Sequence, residues 1–288
     1  MSGNFKIGVG VESGGPAGVS GSVEVGVNGP FFVVAGPCVI EGKDICMKIA
    51  ESLKEIGESE GIGVIFKASF DKANRSSVRS FRGPGIDEGL KVLEAVRREY
   101  QMPVLTDVHE PGQAEVAAQV VDCLQVPAFL CRQTDLLSAC AHTGRCVNVK
   151  KGQFLSPGEM KNVVEKLRAF GNDKILLTER GTFFGYNRLV NDMSGIAEMK
   201  AFGLPVVFDA THSAQRPGGL GGVSGGERAV GPVLAKAASA AGANGLYAEV
   251  HPRPKEARSD AAVIMPVDWL GDLVRVCKEI FRVAGWSE

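Results

Sequence analysis

The 288-residue sequence lacks an apolar run long enough to span a bilayer, and it has no excess of charge of either sign. It carries 32 basic and 33 acidic residues, so its net charge gives no reason to expect binding to nucleic acid or to a membrane surface. The opening residues 1–6 have no apolar segment of the kind found in a secretory signal. The composition therefore predicts a cytoplasmic protein that binds neither a membrane nor nucleic acid.

Paired cysteine motifs are missing as well. The sequence has seven cysteines, an odd number, without any Cys-x-x-Cys pair, and several of them lie inside apolar runs. This pattern predicts buried, reduced thiols and excludes a disulfide framework. No Gly-x-Gly-x-x-Gly motif follows a predicted strand, which disfavours the alternative of an open, doubly wound dinucleotide-binding sheet.

Short apolar runs alternate with longer stretches of helical period from Phe31 to the end of the chain. The predicted strands cover residues 32–36, 64–69, 104–108, 123–126, 146–150, 175–180, 206–211 and 245–250. Eight strand-helix units in about 250 residues predict an α/β fold, a (β/α)8 TIM barrel. The glycine-rich residues 1–30 predict a short N-terminal β-hairpin, with residues 31–288 forming a single barrel domain.

One helix start has a specific signature in the sequence. Ser156, Pro157 and Glu159 stand in the order expected of a capping box, with serine at the cap and glutamate three residues later. The helix is therefore predicted to begin directly after Ser156.

The most cationic stretch, FKASFDKANRSSVRSFRGPG, spans residues 66–85. It follows an apolar run, so a buried strand passes directly into a polar loop. Its lysines and arginines are spaced among short hydroxyl and amide side chains, which suits a small anionic ligand such as a phosphate. An ordinary solvated loop is the alternative interpretation.

Polar side chains also stand at the carboxyl ends of most other predicted strands. They are Asp107, His109, Gln125, Asn148, Lys150, Glu179, Arg180, Asp209, His212, Glu249 and His251. A (β/α)8 barrel carries its active site at that end, so these residues predict a catalytic mouth. The alternative is that they have structural roles only.

Closure of a barrel pairs the last strand with the first, which would bring Cys38, His212 and Glu249 together, with Asp260 in the loop that follows. A thiolate, an imidazole and two carboxylates suit a divalent metal such as Zn, Fe or Mn. Two alternatives stay open at this point: His251 competes with His212 as the ligand, and a lone cysteine after a strand is often a small buried hydrophobe.

Several long motifs in this chain resemble the 3-deoxy-D-manno-octulosonate 8-phosphate synthase family. They are FKASFDKANRSS, FRGPG, LTDVHEP, QVPAFLCRQTDLL, NVKKGQFLSPGEM, TERGTFFGYNRLVNDM, FDATHS and EVHPRP. The resemblance runs from about Phe32 through the last helix. The Lys-Ala-Asn-Arg-Ser-Ser segment distinguishes this family from the sister family that makes a seven-carbon deoxy sugar phosphate, which typically has a Lys-Pro-Arg-Thr type of segment there.

The resemblance implies a condensation of phosphoenolpyruvate with D-arabinose 5-phosphate that releases inorganic phosphate. The product would precede the octulosonate sugar of lipopolysaccharide or of plant pectin. The resemblance assigns Lys72, Lys150 and Arg180 to phosphoenolpyruvate, with Gln125, Pro127 and Ala128 shaping that pocket. It assigns Lys67, Asn74, Arg75 and Ser76 to the arabinose phosphate side, and Ser69 to a substrate carboxylate.

The resemblance also implies a metal-dependent enzyme, because Cys38 stands where the metal-independent class has asparagine. The implied ligands are Cys38, His212, Glu249 and Asp260, holding Zn, Fe or Mn. Asp260 is expected to handle protons, with His212 as second choice, and Lys72 and Lys150 complete the expected catalytic set. A homotetramer is implied. The sister synthase, which uses erythrose 4-phosphate, and a catalytically silent barrel are the alternatives.

Overall fold

Eight parallel strands close into a barrel in this computed structural model, which describes residues 4–8, 21–75, 77–219 and 225–286. The barrel strands are β3 (Phe32–Gly36), β4 (Gly63–Lys67), β5 (Val104–Asp107), β6 (Cys123–Val126), β7 (Cys146–Lys150), β8 (Ile175–Glu179), β11 (Val206–Asp209) and β14 (Gly245–His251). Each strand pairs with the next one in this order, and β14 returns to pair with β3. The closed sheet leaves no barrel edge unpaired.

A helix follows every barrel strand. The helices are α1 (Lys43–Glu60), α2 (Ile86–Tyr100), α3 (Pro111–Ala118), α4 (Thr134–His142), α5 (Met160–Ala169), α6 (Ser194–Lys200), α7 (Val230–Ala240) and α8 (Leu270–Val283). This alternation confirms the predicted (β/α)8 barrel. Over the residues that the structure describes, none of these helices is both long and apolar enough to cross a membrane.

The predicted N-terminal hairpin is confirmed. Strands β1 (Phe5–Ile7) and β2 (Val23–Val25) pair antiparallel, with Phe5 opposite Val25. Ile7 is buried and belongs to the same apolar cluster as Phe32 and Ile65 inside the barrel. The hairpin thus covers the end of the barrel where the strands begin. Residues 9–20 of the predicted ribbon lie outside the described residues, and the division of the chain at residue 30 stays a prediction.

The remaining short strands lie in the loops that follow barrel strands. They are β9 (Thr182–Phe183) with β10 (Leu189–Val190), β12 (Gln215–Arg216) with β13 (Gly225–Gly226), and β15 (Met265–Pro266) beside β14. The first two pairs are antiparallel ribbons. They build up the walls at the carboxyl end of the barrel.

Alternation of side chains along the strands determines what reaches the barrel interior. Ile65, Leu105 and Val207 belong to the inner apolar cluster. Because side chains two residues apart share a face of a strand, the residues two positions later also point inward. Lys67 and Asp107 are two of these residues. A layer of apolar side chains therefore supports a layer of charged ones at the mouth.

Gly36 ends β3 at a point where the backbone of the neighbouring strand is very close. A Cβ built there would overlap the carbonyl oxygen of Lys67 on β4. We expect Gly36→Ala to lower the free energy of unfolding by about 1–3 kcal/mol, because the strands must separate to admit the methyl group. Urea denaturation measures this change.

Gly112 provides the matched control, since a Cβ at this position in α3 meets no atom within 4 Å. Gly112→Ala is expected to leave the stability unchanged or to raise it slightly. If Gly36→Ala were as stable as Gly112→Ala, the close approach of β4 would not be the reason for a glycine at position 36.

Candidate active site

A cavity of about 510 Å³ opens at the carboxyl end of the barrel. Ten of the residues that the family resemblance assigns to a substrate or to a metal line it: Lys72, Asn74, Arg75, Gln125, Pro127, Ala128, Lys150, Arg180, His212 and Asp260. They come from the ends of six barrel strands and the loops that follow. Residues far apart in sequence meet here because the fold gathers strand ends at one mouth.

Four further predicted residues are buried beside the cavity instead of lining it. Lys67 Nζ lies 2.8 Å from Glu249 Oε1, and Ser69 Oγ lies 2.6 Å from Asp107 Oδ2. Cys38 Sγ lies 3.1 Å from Asp260 Oδ2. These four support the residues that face the cavity. Ser76, the remaining predicted residue, lies outside the described part of the chain.

Three of the predicted metal ligands form a compact donor cluster. Donor atoms of Cys38, Glu249 and Asp260 all lie within 4.8 Å of one another. His212 Nε2 lies 3.7 Å from Glu249 Oε1 and 3.8 Å from Asp260 Oδ2. Glu249 Oε2 is buried and has no hydrogen-bond partner among the described residues. A buried carboxylate oxygen without a donor fits a cation, and this set of donors fits a divalent transition metal.

The orientation of His212 is set by Asp209. His212 Nδ1 lies 2.7 Å from Asp209 Oδ2, and the backbone N–H of His212 donates to Asp209 Oδ1 at 2.8 Å. With the proton on Nδ1 held by this carboxylate, Nε2 presents its lone pair to Glu249 and Asp260. This carboxylate-histidine arrangement is the usual support for a metal-binding imidazole.

His251, the competing histidine, faces a different group. Its Nδ1 accepts the backbone N–H of Arg253 at 2.9 Å, and its Nε2 lies 3.8 Å from Glu41 Oε2. Neither histidine belongs to the compact donor cluster, but His212 Nε2 lies within 3.8 Å of carboxylate oxygens of two of its members, Glu249 and Asp260. The geometry therefore favours His212 over His251 as the imidazole of the site.

Lys67 is committed to the buried side of the donor cluster. Its Nζ donates to Glu249 Oε1 at 2.8 Å and to the Cys38 carbonyl at 2.7 Å, and only 1% of the residue is exposed. Tyr247 donates to the same Glu249 oxygen at 3.2 Å. Burial alone would raise the pKa of Glu249, but the Lys67 ammonium holds that pKa well below its usual range. Glu249 is therefore an anion at neutral pH.

Lys72 reaches the cavity between two carboxylates. Its Nζ lies 3.6 Å from Asp107 Oδ2 and 3.9 Å from Glu249 Oε1. Burial alone would lower the pKa of Lys72, but Cys38, Asp107 and Glu249 raise it above the ordinary value. Lys72 therefore stays cationic, although its side chain is only 12% exposed.

Two further cations, Lys150 and Arg180, stand at the carboxyl ends of the neighbouring strands β7 and β8. Lys150 Nζ lies 2.6 Å from Asp209 Oδ2 and 3.7 Å from the centre of the Tyr247 ring. Arg180 donates to Gln215 Oε1 at 3.1 Å. Burial lowers the pKa of both cations, as it penalises their charged forms. An anionic substrate at this site would favour the charged forms.

Gln215 connects this pair with the donor cluster. It accepts from Arg180 and donates through Nε2 to Asp260 Oδ1 at 2.7 Å. Asp260 is thereby held by Gln215 on one oxygen and lies beside Cys38 on the other. Gln215 therefore contacts both Arg180 and Asp260, one of the candidate metal ligands.

Sequence reasoning missed several residues that line the cavity, among them Tyr247, Phe129, Gln153 and Arg258. Tyr247 was accessible from the sequence, because it stands two residues before Glu249 and so shares its face of β14. The other three lie in loops or turns, where no periodicity indicates which way a side chain points.

Comparison with known proteins gives the class first. The chain matches the model of the DAHP synthetase I family over residues 8–283 and belongs to that family. Within the family, the chain is similar to proteins named 2-dehydro-3-deoxyphosphooctonate aldolase. The protein of Protochlamydia amoebophila is 52% identical over 259 residues, covering 90% of this chain and 94% of its own length.

Two further relatives carry the same name. That of Acidithiobacillus ferrooxidans is 54% identical over 260 residues, covering 90% of this chain and 92% of its own. That of Nitratidesulfovibrio vulgaris is 56% identical over 244 residues, covering 85% and 89%. The resemblance to the octulosonate phosphate synthases, which are the same enzymes under another name, is confirmed.

The Asp107 carboxylate makes the acid stability of the chain predictable. Burial alone would raise its pKa, but Lys72 and Lys67 lower it below the ordinary value. A carboxyl whose pKa is lowered by folding contributes stability above its unfolded pKa of about 4, and this contribution is lost as the pH falls below that value. We expect Asp107→Asn to be destabilised at pH 7, and the gap to the parent to narrow steadily between about pH 5 and pH 3.

Urea unfolding across this pH range measures the gap. Asp268→Asn is the control, because Asp268 is exposed in the turn before α8. A gap for Asp107→Asn that stays constant from pH 7 to pH 3 would contradict the lowered pKa.

Proposed function

We propose that this chain condenses phosphoenolpyruvate with D-arabinose 5-phosphate and water, giving 3-deoxy-D-manno-octulosonate 8-phosphate and inorganic phosphate. The observation that carries the proposal is a cavity lined by cations from separate strand ends, with a cysteine, histidine and carboxylate donor set at its side. The names of the relatives support the same chemistry. The product would supply octulosonate for lipopolysaccharide.

Lys150 and Arg180 form the phosphoenolpyruvate site in this proposal, together with Lys72. All three line the cavity and are largely buried, so their charges are poorly screened by water. Gln125, Pro127 and Ala128 shape the adjoining wall. A phosphate and a carboxylate on one small molecule need several cations at fixed positions, which strand ends provide.

Asn74, Arg75 and Ser76 receive the sugar phosphate. Asn74 and Arg75 line the cavity. Lys67 and Ser69 take supporting roles: Lys67 positions Glu249, and Ser69 donates to Asp107. We propose supporting roles for Lys67 and Ser69 instead of direct contact with the substrate, because both side chains are buried and already hydrogen-bonded.

Cys38, His212, Glu249 and Asp260 would hold a divalent Zn, Fe or Mn ion. When bound, the ion supplies a Lewis acid beside the substrate aldehyde. The Cys38 thiol lies between the Ser259 hydroxyl, at 2.8 Å, and the Asp260 carboxylate.

The reaction joins two anions, so their repulsion must be offset first. Lys72 and Lys150 hold positive charge where the two substrates approach. Carbon 3 of phosphoenolpyruvate attacks the sugar aldehyde, and Asp260 delivers a proton to the resulting alkoxide, with His212 as the second candidate. Water then adds to carbon 2 and returns one proton to the same acid. Phosphate leaves with the second proton of that water as its bond from carbon 2 to oxygen breaks, so that carbon 2 becomes the ketone of the product.

Cytoplasmic location and a homotetramer belong to the same proposal. All seven cysteines are buried and free, as expected in a reducing compartment. Phe183, Phe184 and Tyr186, in the ribbon after β8, are exposed aromatic side chains of the kind that subunit interfaces cover. Light scattering on the purified protein tests the assembly, and a monomer would contradict it.

Competition between sugars of different length separates the proposed activity from that of the sister synthase. We expect kcat/KM for D-arabinose 5-phosphate to exceed that for erythrose 4-phosphate by about 100-fold or more, because a site built for the longer sugar leaves polar groups unpaired with the shorter one. Phosphate release at equal sugar concentrations measures this ratio. A preference for the four-carbon sugar would assign the chain to the sister activity, and no release with either would indicate a silent barrel.

A further inference from the structure

Arg258 occupies a wall of the cavity that no assignment above uses. Arg258 lies in the loop after β14, two residues before Asp260, and it lines the cavity. Its backbone N–H donates to Glu41 Oε1 at 2.9 Å, which ties the loop to the segment after β3. The position of Arg258 is therefore fixed by the same framework that holds the donor cluster.

The guanidinium of Arg258 lies over an aromatic ring. Its Cζ lies 3.6 Å from the centre of the Phe81 ring. Stacking of this kind occupies a face of the guanidinium and leaves the N–H groups at its edge free to donate. Among residues 4–8, 21–75, 77–219 and 225–286, the structure gives this guanidinium no ion pair and no hydrogen bond.

Phe81 also holds a second arginine of the cavity. Its carbonyl accepts Arg75 Nε at 3.1 Å, and Arg75 Nη2 is buried without a hydrogen-bond partner among the described residues. Arg75 and Arg258 thus flank one residue and line one cavity, each with donors unused. Lys72 and Lys150, by contrast, each contact a carboxylate.

Two guanidinium groups with unused donors on one wall match a phosphate monoester, which offers three oxygens and up to two negative charges. We infer that Arg258 binds the phosphate of the sugar substrate together with Arg75, and so sets the preference for a phosphorylated aldose. This inference rests on the proposed function and adds to it a residue that determines substrate specificity. Phe81 is the positioning residue, because it contacts both arginines.

Steady-state kinetics of Arg258→Met tests the inference with two acceptors, D-arabinose 5-phosphate and D-arabinose without its phosphate. We expect KM for the sugar phosphate to rise about 30-fold, since one charge-assisted contact to phosphate is lost. KM for phosphoenolpyruvate should stay within about two-fold of the parent value. The kcat/KM for the unphosphorylated sugar should be unchanged, because that sugar offers Arg258 no anion. Arg258→Lys should recover part of the loss.

Arg253→Met is the matched control, because Arg253 lies in the same loop, pairs with Glu256 at 3.0 Å and is not among the residues that line the cavity. It removes the same charge and should leave all constants near those of the parent. If Arg258→Met lowered kcat/KM equally for both sugars, the residue would be merely structural and the inference would be overturned. An unchanged KM for the sugar phosphate would overturn it as well.

Failure of the proposed function has a different signature. If the unaltered protein releases no phosphate with D-arabinose 5-phosphate, the proposed function falls, and this inference with it. If the unaltered protein does so and Arg258→Met behaves like Arg253→Met, only the inference about Arg258 falls. A thermal melt of each variant confirms that the comparison is between folded proteins.

Discussion

Lys150→Met is expected to lower kcat/KM for phosphoenolpyruvate by about a thousandfold or more. The substitution keeps most of the side-chain volume but removes the cation that lies 2.6 Å from Asp209 Oδ2 and over the Tyr247 ring. Two losses add up: the substrate anion loses its partner, and the buried Asp209 carboxylate loses its lysine and keeps only its contacts with His212 and Thr211. Truncating one member of a buried charge pair typically costs about 2–5 kcal/mol.

Lys174→Met is a suitable control for Lys150→Met. Lys174 precedes β8 at the opposite end of the barrel, where its Nζ contacts the Gly144 carbonyl at 3.4 Å. It should leave kcat/KM unchanged. Initial rates of phosphate release, with phosphoenolpyruvate varied at a saturating sugar concentration, measure both variants. A Lys150→Met enzyme within about ten-fold of the parent would remove Lys150 from the substrate site.

Cys38→Ala is expected to weaken the binding of a divalent metal by at least about a hundredfold and to abolish most of the activity. The thiol lies within 4.8 Å of the Glu249 and Asp260 donors, so its loss leaves an incomplete ligand set. Cobalt substitution gives a direct measurement, because a thiolate bound to Co²⁺ produces a charge-transfer absorption that alanine cannot. The control is Cys277→Ala, a buried cysteine of α8 outside the cavity.

Cys38→Asn distinguishes a ligand from a packing residue. Asparagine places an amide where the metal-independent class of the family has one. If this variant keeps substantial activity in a chelator while the parent does not, Cys38 is supported as a ligand. Equal chelator sensitivity of the parent and Cys38→Asn, with metal content unaltered in Cys38→Ala, would leave the thiol as a small buried side chain.

The barrel strands could be predicted from the sequence, since a short hydrophobic run marks each of them. Every predicted strand begins at the observed residue except the second, which begins one residue earlier, at Gly63. The ends were less predictable: the strand predicted over 64–69 ends at Lys67. The sequence does not show whether a polar residue after a hydrophobic run still pairs with the neighbouring strand or already belongs to the loop.

Charged residues of the site were found by type, but their partners were not. The family resemblance assigns Lys67 to the sugar phosphate, and this assignment stays a prediction. The contact of Lys67 Nζ with Glu249, 182 positions away in the chain, was not predicted. Such a pairing depends on barrel closure and on which oxygen faces which strand. Gln215 was missed for the same reason, as its contacts to Arg180 and Asp260 join three separate loops.

The capping box at Ser156 shows the limit of local rules. The backbone N–H of Ser156 donates to the Glu159 carboxylate at 2.9 Å, as the signature requires. The Ser156 hydroxyl, however, donates to the same carboxylate at 3.0 Å, and α5 begins only at Met160. The first turn is tighter than an α-helix, because the backbone N–H groups of Glu159 and Met160 donate three residues back, to the carbonyls of Ser156 and Pro157, both at 3.2 Å.

Phosphate release from phosphoenolpyruvate in the presence of D-arabinose 5-phosphate tests the central claim most directly. It is measured before dialysis against a strong chelator, after that dialysis, and again after Mn, Zn or Fe is added back. The account predicts release that requires the sugar, falls at least about a hundredfold after chelation and returns with metal. Activity that survives chelation would contradict the metal site at Cys38, His212, Glu249 and Asp260. No release under any of these conditions would contradict the condensation itself.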